Sequence, residues 1–111
     1  MRLLPSLREK KRYLAFKIIS EGTVSRRDFV DELARSASSL LGDQGSSKCG
    51  LKVLSFDREG GIIKCERTKT AHTRAVLATI NRVGGVRVAV HVIGSSGSVK
   101  GAGRFAETGG A

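Results

Sequence analysis

Apolar residues at every second position predict a strand near the start of the chain. Between Tyr13 and Ile19 the side chains of Leu14, Phe16 and Ile18 would share one face, which is the periodicity of a strand packed on a core. Ser25 then offers a hydroxyl that can cap a helix. The apolar residues after it follow helical spacing and predict an amphipathic helix over 26–41. They are Phe29, Val30, Leu33, Ala37, Leu40 and Leu41.

The middle of the chain predicts a loop followed by a hairpin. Residues 42–50 (GDQGSSKCG) are polar and rich in glycine, which is typical of a loop. Two apolar, strand-like segments, 51–56 and 61–67, flank the short sequence Asp57-Arg-Glu-Gly60. Because a short glycine-containing connection between two strands favours a tight turn, these residues predict a hairpin.

The later part of the chain predicts a second helix and a last strand. Thr68 or Thr70 could cap a helix that runs to about Val83 and ends at Gly84-Gly85. Its apolar stripe is Val76, Leu77, Ile80 and Val83. From Val86 to Ile93 valines alternate with other residues and predict a strand. Arg87 and His91 would lie on its exposed face.

The predicted order β-α-β-β-α-β defines an α+β fold. With right-handed crossovers it is the ferredoxin-like (RRM-like) sandwich, a four-stranded antiparallel sheet with two helices on one face. We predict a single ferredoxin-like RNA-binding domain over 1–95 and a glycine-rich C-terminal tail without regular structure over 96–111. Enzymes, metal carriers and RNA-binding proteins all use this fold, so the fold does not decide the function.

Charge is the property that indicates a partner. The 111 residues carry 20 Lys and Arg against 10 Asp and Glu, a net charge of +10. Residues 1–20 carry +5 and 58–82 carry +4, whereas 21–57 carry −1 and 83–111 carry +2. Clustered cations favour binding to a polyanion, because each Lys or Arg placed at a phosphate releases condensed counterions. The alternative is a solvated basic surface, which an excess this large and uneven disfavours.

Groups suited to catalysis are scarce. His72 and His91 lie on different predicted elements, and no pattern ties either one to a nucleophile or a carboxylate. Cys65 is expected to be a packed thiol and Cys49 an exposed one, with no ligand set for a metal. The third strand lacks the aromatic residues with which an RNA-recognition motif stacks bases. We therefore predict a noncatalytic protein without a cofactor that contacts phosphates and sugars.

The glycine-rich stretch from Gly94 to Arg104 has two interpretations. It lacks the spacing of a phosphate-binding loop. A nest of its backbone N–H groups with Lys100 and Arg104 could still hold an RNA phosphate, and a flexible tail explains the composition equally well. No apolar run approaches the roughly 20 residues of a membrane span, and two cysteines make no disulfide framework, so we expect a cytoplasmic protein.

Three motifs, in order, resemble one family. Leu7-Arg-Glu-Lys-Lys-Arg-Tyr-Leu-Ala-Phe-Lys-Ile18 is similar to the opening signature of the Pop-five family, which includes protein component 2 of archaeal ribonuclease P. Gly61-Ile-Ile-Lys-Cys-Glu-Arg67 with the helix after it resembles a second family motif. Val92-Ile-Gly-Ser-Ser-Gly-Ser-Val-Lys100 resembles the closing motif. The resemblance covers most of the chain, from about Leu4 to Lys100.

The resemblance implies a noncatalytic subunit of the ribonucleoprotein that removes 5′ leaders from precursor tRNA. In that family the RNA cleaves with bound Mg²⁺. The implied partners are ribonuclease P RNA, precursor tRNA, the TIM-barrel-like protein component 3 and other ribonuclease P protein subunits. The oligomeric state is left open, with a homodimer as one alternative. The residues that the resemblance marks as RNA contacts are Arg8, Lys10, Lys11, Arg12, Arg67, Lys69, Ser96, Gly97, Ser98 and Lys100.

Two departures from the family pattern bear on RNA binding. Ser98 stands where the family usually has Thr, and Gly101 and Gly103 interrupt a segment that is usually more basic. Affinity would then depend more on the N-terminal cluster or on partners. The alternative function is that of a ferredoxin-like RNA-binding protein in another ribonucleoprotein complex.

Overall fold

The computed structural model describes the backbone of residues 11–108 and the side chains of residues 11–104. This part of the chain contains five strands, three α-helices and one short 3₁₀ turn. In chain order they are β1 (Lys11–Ser20), α1 (Arg26–Cys49), β2 (Lys52–Phe56), β3 (Gly60–Glu66), the 3₁₀ turn (Arg67–Lys69), α2 (Thr70–Thr79), β4 (Arg82–Val83), β5 (Val86–Ser96) and α3 (Val99–Thr108). No helix among the described residues has the length and hydropathy needed to cross a membrane.

All five strands join one antiparallel sheet in the order β2-β3-β1-β5-β4. The predicted α+β class is confirmed, but the predicted count of four strands is wrong. The fifth strand is β4, which pairs with the start of β5. Gly84 and Gly85 connect them with φ of 57° and 83°, and a two-residue turn with positive φ at both positions is the hairpin type that glycine favours. Gly84-Gly85 therefore turns a hairpin instead of ending α2, which stops at Thr79.

The main core lies between one face of the sheet and helices α1 and α2. Three aromatic rings form its centre: the Phe29 ring lies 5.1 Å from that of Phe16 and 5.0 Å from that of Phe56. The valines predicted to share one face of β5 pack against this core. The Ser25 hydroxyl accepts a hydrogen bond from the Asp28 N–H at 3.1 Å, which confirms the predicted cap of α1.

Helix α1 continues well past its predicted end. Residues 42–50 were predicted to form a loop, but α1 runs to Cys49 with a break at Gly42, where φ is 76° and ψ is 169°. The helix ends at Gly50 in the left-handed conformation (φ 59°, ψ 41°), a position that glycine favours. Because the last turn packs onto the protein, Cys49 is fully buried. The prediction that Cys49 is exposed is wrong, whereas the packed thiol predicted at Cys65 is confirmed.

Helix α3 covers part of the opposite face of the sheet. Residues 96–111 were predicted to be a tail without regular structure, and this is wrong for the helical residues 99–108. Helices α1 and α2 do share one face of the sheet, as predicted, but α3 was not predicted and lies on the other face. Ala102 is fully buried against Ala15 and Ile62. A Cβ added at Gly101 would lie 2.1 Å from the Ser96 hydroxyl. The glycine therefore permits the close approach of α3 to the end of β5.

Candidate nucleic-acid interface

The strand register brings three distant segments to one end of the sheet. The central strand β1 begins between the last residues of β3 and β5, since Lys11 lies opposite Glu66 and Tyr13 opposite Ser96. The 3₁₀ turn follows β3 directly, and α3 begins just after β5. Here we call this region the basic end. Among the described residues it comprises Lys11, Arg12, Arg67, Lys69, Ser96, Gly97, Ser98 and Lys100.

The two cations of β1 differ in their surroundings. Lys11 forms an ion pair with Glu66, so a phosphate would have to compete with a carboxylate for this ammonium. Arg12 is half-buried, and a Cβ added at Gly97 would lie 3.3 Å from Arg12 Nη1. The first and third motifs therefore lie side by side at Arg12 and Gly97, and Arg12 is the cation of the first motif that lies next to the third.

Hydroxyl groups hold the 3₁₀ turn against α2. Thr70 Oγ1 donates to the carbonyl of Arg67 at 2.9 Å, and the buried Thr73 Oγ1 donates to that of Lys69 at 2.9 Å. The Arg67 side chain is exposed and that of Lys69 half-buried. Burial raises the pKa of the Cys49 thiol, and the positive charge of Lys69 acts in the opposite direction.

The closing motif caps α3. Ser98 Oγ accepts from the Gly101 N–H at 3.0 Å, and the Ser98 carbonyl accepts from the Ala102 N–H at 3.1 Å, which is the bonding of an N-cap residue. Ser96 Oγ in turn accepts from the Ser98 N–H at 3.3 Å. Both hydroxyls therefore shape the turn into α3. The exposed Lys100 lies in the first turn of that helix, where the helix dipole favours an anion.

Eight of the ten predicted contact residues lie together at the basic end. Arg8 and Lys10 lie outside the described residues. The prediction omitted two further lysines of the same end: Lys64 lies opposite Tyr13, and Lys52 lies opposite Lys64. Their alternation with apolar neighbours predicts their strands, but only the register between strands places them beside β1.

The described residues offer little for acid–base chemistry. His72 is exposed on α2, as predicted. His91 is exposed on β5, as predicted, and lies opposite Lys17 of β1. Neither side chain has a hydrogen-bond partner among residues 11–104. In the same part of the chain, no three His, Cys, Asp or Glu side chains are grouped so that they could hold a metal ion. The basic end can bind a polyanion through its cations and through the backbone at the start of α3.

These features define a small α+β protein with an antiparallel sheet and a cationic end. The model of the Rpp14/Pop5 family matches residues 12–107, and the chain belongs to this family. It is 58% identical over 99 residues to ribonuclease P protein component 2 of Methanosarcina barkeri, a match that covers 89% of this chain and 73% of the relative. It is 39% identical to the protein of the same name from Archaeoglobus fulgidus, over 88% of this chain and 89% of the relative.

A solved structure shares the fold. A chain in the cryo-EM structure of yeast ribonuclease MRP superimposes with a TM-score of 0.67 at 12% sequence identity. The superposition covers 88% of this chain and 79% of the yeast chain. The helix α3 that sequence analysis missed lies almost wholly within the range matched by the family model.

Proposed function

We propose that this chain is a noncatalytic protein subunit of ribonuclease P, which binds and stabilises the folded RNA that removes 5′ leaders from precursor tRNA. Membership of the Rpp14/Pop5 family and the name shared by its relatives, ribonuclease P protein component 2, support the enzyme assignment. The observation that carries the RNA-binding role is the strand register at the basic end, which gathers cations from three separate motifs.

The basic end would act by neutralising phosphates that repel one another as the RNA compacts. Each ion pair with a phosphate releases counterions, so binding weakens as salt concentration rises. Contacts of this kind position the RNA without reading its sequence. The chain's own groups then supply binding and shape, while Mg²⁺ held by the RNA supplies the cleavage chemistry.

We also propose that the chain acts in the cytoplasm with ribonuclease P RNA, precursor tRNA, the TIM-barrel-like component 3 and the other ribonuclease P protein subunits. A homodimer is an alternative state. We further propose a ferredoxin-like core, which the order β2-β3-β1-β5 of four of the strands supports. An RNA-binding protein of a different complex is less consistent with the family and with the names of the relatives.

A reconstitution at limiting Mg²⁺ tests the assignment. Ribonuclease P RNA, component 3 and precursor tRNA are combined with and without this chain, and 5′-leader cleavage is measured. We expect the chain to raise the cleavage rate and to do so less at high Mg²⁺, where the metal already screens the phosphates. An equal rate with and without the chain at every Mg²⁺ concentration would contradict the proposal. Cleavage by the chain alone would contradict its noncatalytic part.

A pair of double variants tests the basic end in the same assay. Arg12→Ala with Arg67→Ala removes two of its cations. Arg58→Ala with Arg87→Ala removes two exposed arginines near the opposite end of β1. We expect the first variant to need more Mg²⁺ for half-maximal cleavage and the second to behave like the unaltered chain. Equal effects would mean that net charge matters and the basic end does not.

A further inference from the structure

An apolar groove lies between α1 and the edge strand β2. Its volume is about 450 Å³. Buried Leu33, Ala37 and Val53 contribute to its lining, with the more exposed Val30 and Ala34 beside them on α1. Val30 keeps 38% of its surface exposed. A concave apolar surface of this kind is an unpartnered face that an apolar chain segment could bury.

The charged side chains that line the groove are cations, and Glu66, which lies beside the lining residue Gly50, is paired with Lys11. The groove's two charged lining residues are Arg26 and Lys52, and no acidic residue lines it. Arg26 Nη2 donates to the Val53 carbonyl at 2.9 Å, which fixes the guanidinium at the edge of β2. A guanidinium has five N–H donors in a planar fork. The remaining donors can therefore meet a carboxylate brought by whatever occupies the groove.

We propose that this groove docks an acidic, apolar segment of another protein subunit of the ribonuclease P complex. The inference rests on the proposed function, because it takes the partner from that complex. A protein segment fits because aliphatic residues line the groove and the charge beside them is positive. RNA fits poorly, because the aliphatic side chains that form much of the lining offer a phosphate backbone nothing to bind. A second copy of this chain also fits poorly. Two-fold pairing through this surface would bring the cations Arg26 and Lys52 of one copy toward those of the other, with no carboxylate between them.

Neighbouring arginines provide a matched pair of variants. Arg26 lines the groove, whereas Arg27 is equally an exposed residue of the first turn of α1 but does not line it. Arg26→Glu should weaken assembly with the protein subunits by about tenfold or more, because the reversed charge repels the incoming carboxylate. Arg27→Glu should leave assembly within about twofold of the unaltered chain. Equal affinities of the two variants would overturn the proposal.

Loss of the Arg26–Val53 hydrogen bond could also lower stability, so a second pair separates folding from docking. Ala34 is exposed and lines the groove, and Ala75 is exposed on α2 outside it. Ala34→Asp should weaken assembly and Ala75→Asp should not, while the thermal unfolding midpoints of the two variants stay close together. Assembly unchanged by Ala34→Asp would overturn the proposal independently of Arg26.

A photo-crosslink in the reconstituted holoenzyme identifies the occupant. p-Benzoylphenylalanine is placed at position 34 and, as a control, at position 75. We expect position 34 to crosslink to a protein subunit at a segment with apolar and acidic residues. Crosslinks to RNA, to a second copy of this chain, or at no higher yield than from position 75 would overturn the docking proposal. Failure of the unaltered chain to join the holoenzyme would instead overturn the proposed function.

Discussion

Arg12 and Gly97 lie close together at the basic end: a Cβ added at residue 97 would lie 3.3 Å from Arg12 Nη1. Arg12 is the second residue of the central strand, and Gly97 precedes the capped first turn of α3. The guanidinium therefore lies between the first and third motifs, beside backbone that Ser98 shapes. A phosphate bound at this point would meet cationic and backbone groups together.

Replacing Arg12 should therefore change how RNA binding depends on salt. For Arg12→Ala, the slope of log K against log salt concentration should fall by roughly 0.7–0.9, the value for one lost phosphate contact. Binding to ribonuclease P RNA is measured by filter retention at several salt concentrations. Arg58→Ala, which removes an exposed arginine at the far end of β1, serves as the control. A slope unchanged by Arg12→Ala would show that this side chain does not contact phosphate.

The stability of helix α3 should depend on the packing of Ala102 against the sheet. Ala102→Asp places a carboxylate among Ala15 and Ile62, where burial of an unpaired charge is unfavourable. We expect a loss of about 1–3 kcal/mol in the free energy of unfolding, measured by urea denaturation. Gly103→Asp adds the same charge one residue later, where a Cβ meets nothing within 4 Å, and should cost much less. Equal losses would mean that α3 does not pack on the sheet as described.

The sequence predicted those strands and helices in which apolar residues recur with the period of the element, because one face of each packs on the core. Alternating apolar residues identified β1 and most of β5. Helical spacing identified the first part of α1 and the whole of α2, with an overrun beyond Thr79. It could not predict α3, because Gly101 and Gly103 lower helix propensity. Apolar residues do recur with helical spacing at Val99, Ala102 and Ala106, and tertiary burial of Ala102 stabilises the helix despite its glycines.

The candidate site shows the same division. Motif comparison selected Arg12, Arg67 and Ser98 one at a time, but their meeting at one end depends on how β1 pairs with β3 and β5. A tight turn fixes the register of a hairpin, but β1 is joined to neither β3 nor β5 by such a turn, so the sequence alone does not give these registers. Gly84-Gly85 illustrates a local ambiguity: a glycine pair ends a helix or turns a hairpin, and only the pairing of β4 with β5 decides between them.

Gly60 should not tolerate a side chain. A Cβ there would lie 2.0 Å from the carbonyl oxygen of Phe16 on the neighbouring strand. Since backbone atoms in a central strand cannot move without disturbing the core, Gly60→Ala should lower the free energy of unfolding by about 3 kcal/mol or more. The control is Gly22→Ala, whose Cβ would make an ordinary 3.5 Å contact with Val86. A Gly60→Ala protein as stable as the control would contradict the tight β1–β3 approach.

Stability should decline at alkaline pH because of Cys49. Burial raises the pKa of this thiol from its ordinary value of 9.0, with Lys69 opposing and Cys65 reinforcing the shift. The folded state therefore keeps the proton to a higher pH than the unfolded chain does. A raised folded-state pKa gives a contribution that is fully present below the unfolded pKa and is lost as pH rises through the folded pKa.

Urea denaturation from neutral pH to above about pH 9 measures this effect. Cys49→Ala should be less stable at neutral pH, because it leaves a small cavity in place of a buried side chain. Its stability should nevertheless fall less steeply with alkaline pH than that of the unaltered chain, since its unfolded state has lost one ionising thiol. Parallel pH profiles for the two proteins would show that Cys49 ionises as readily in the folded chain as in the unfolded one, and so that its burial is less complete than the packing of α1 indicates.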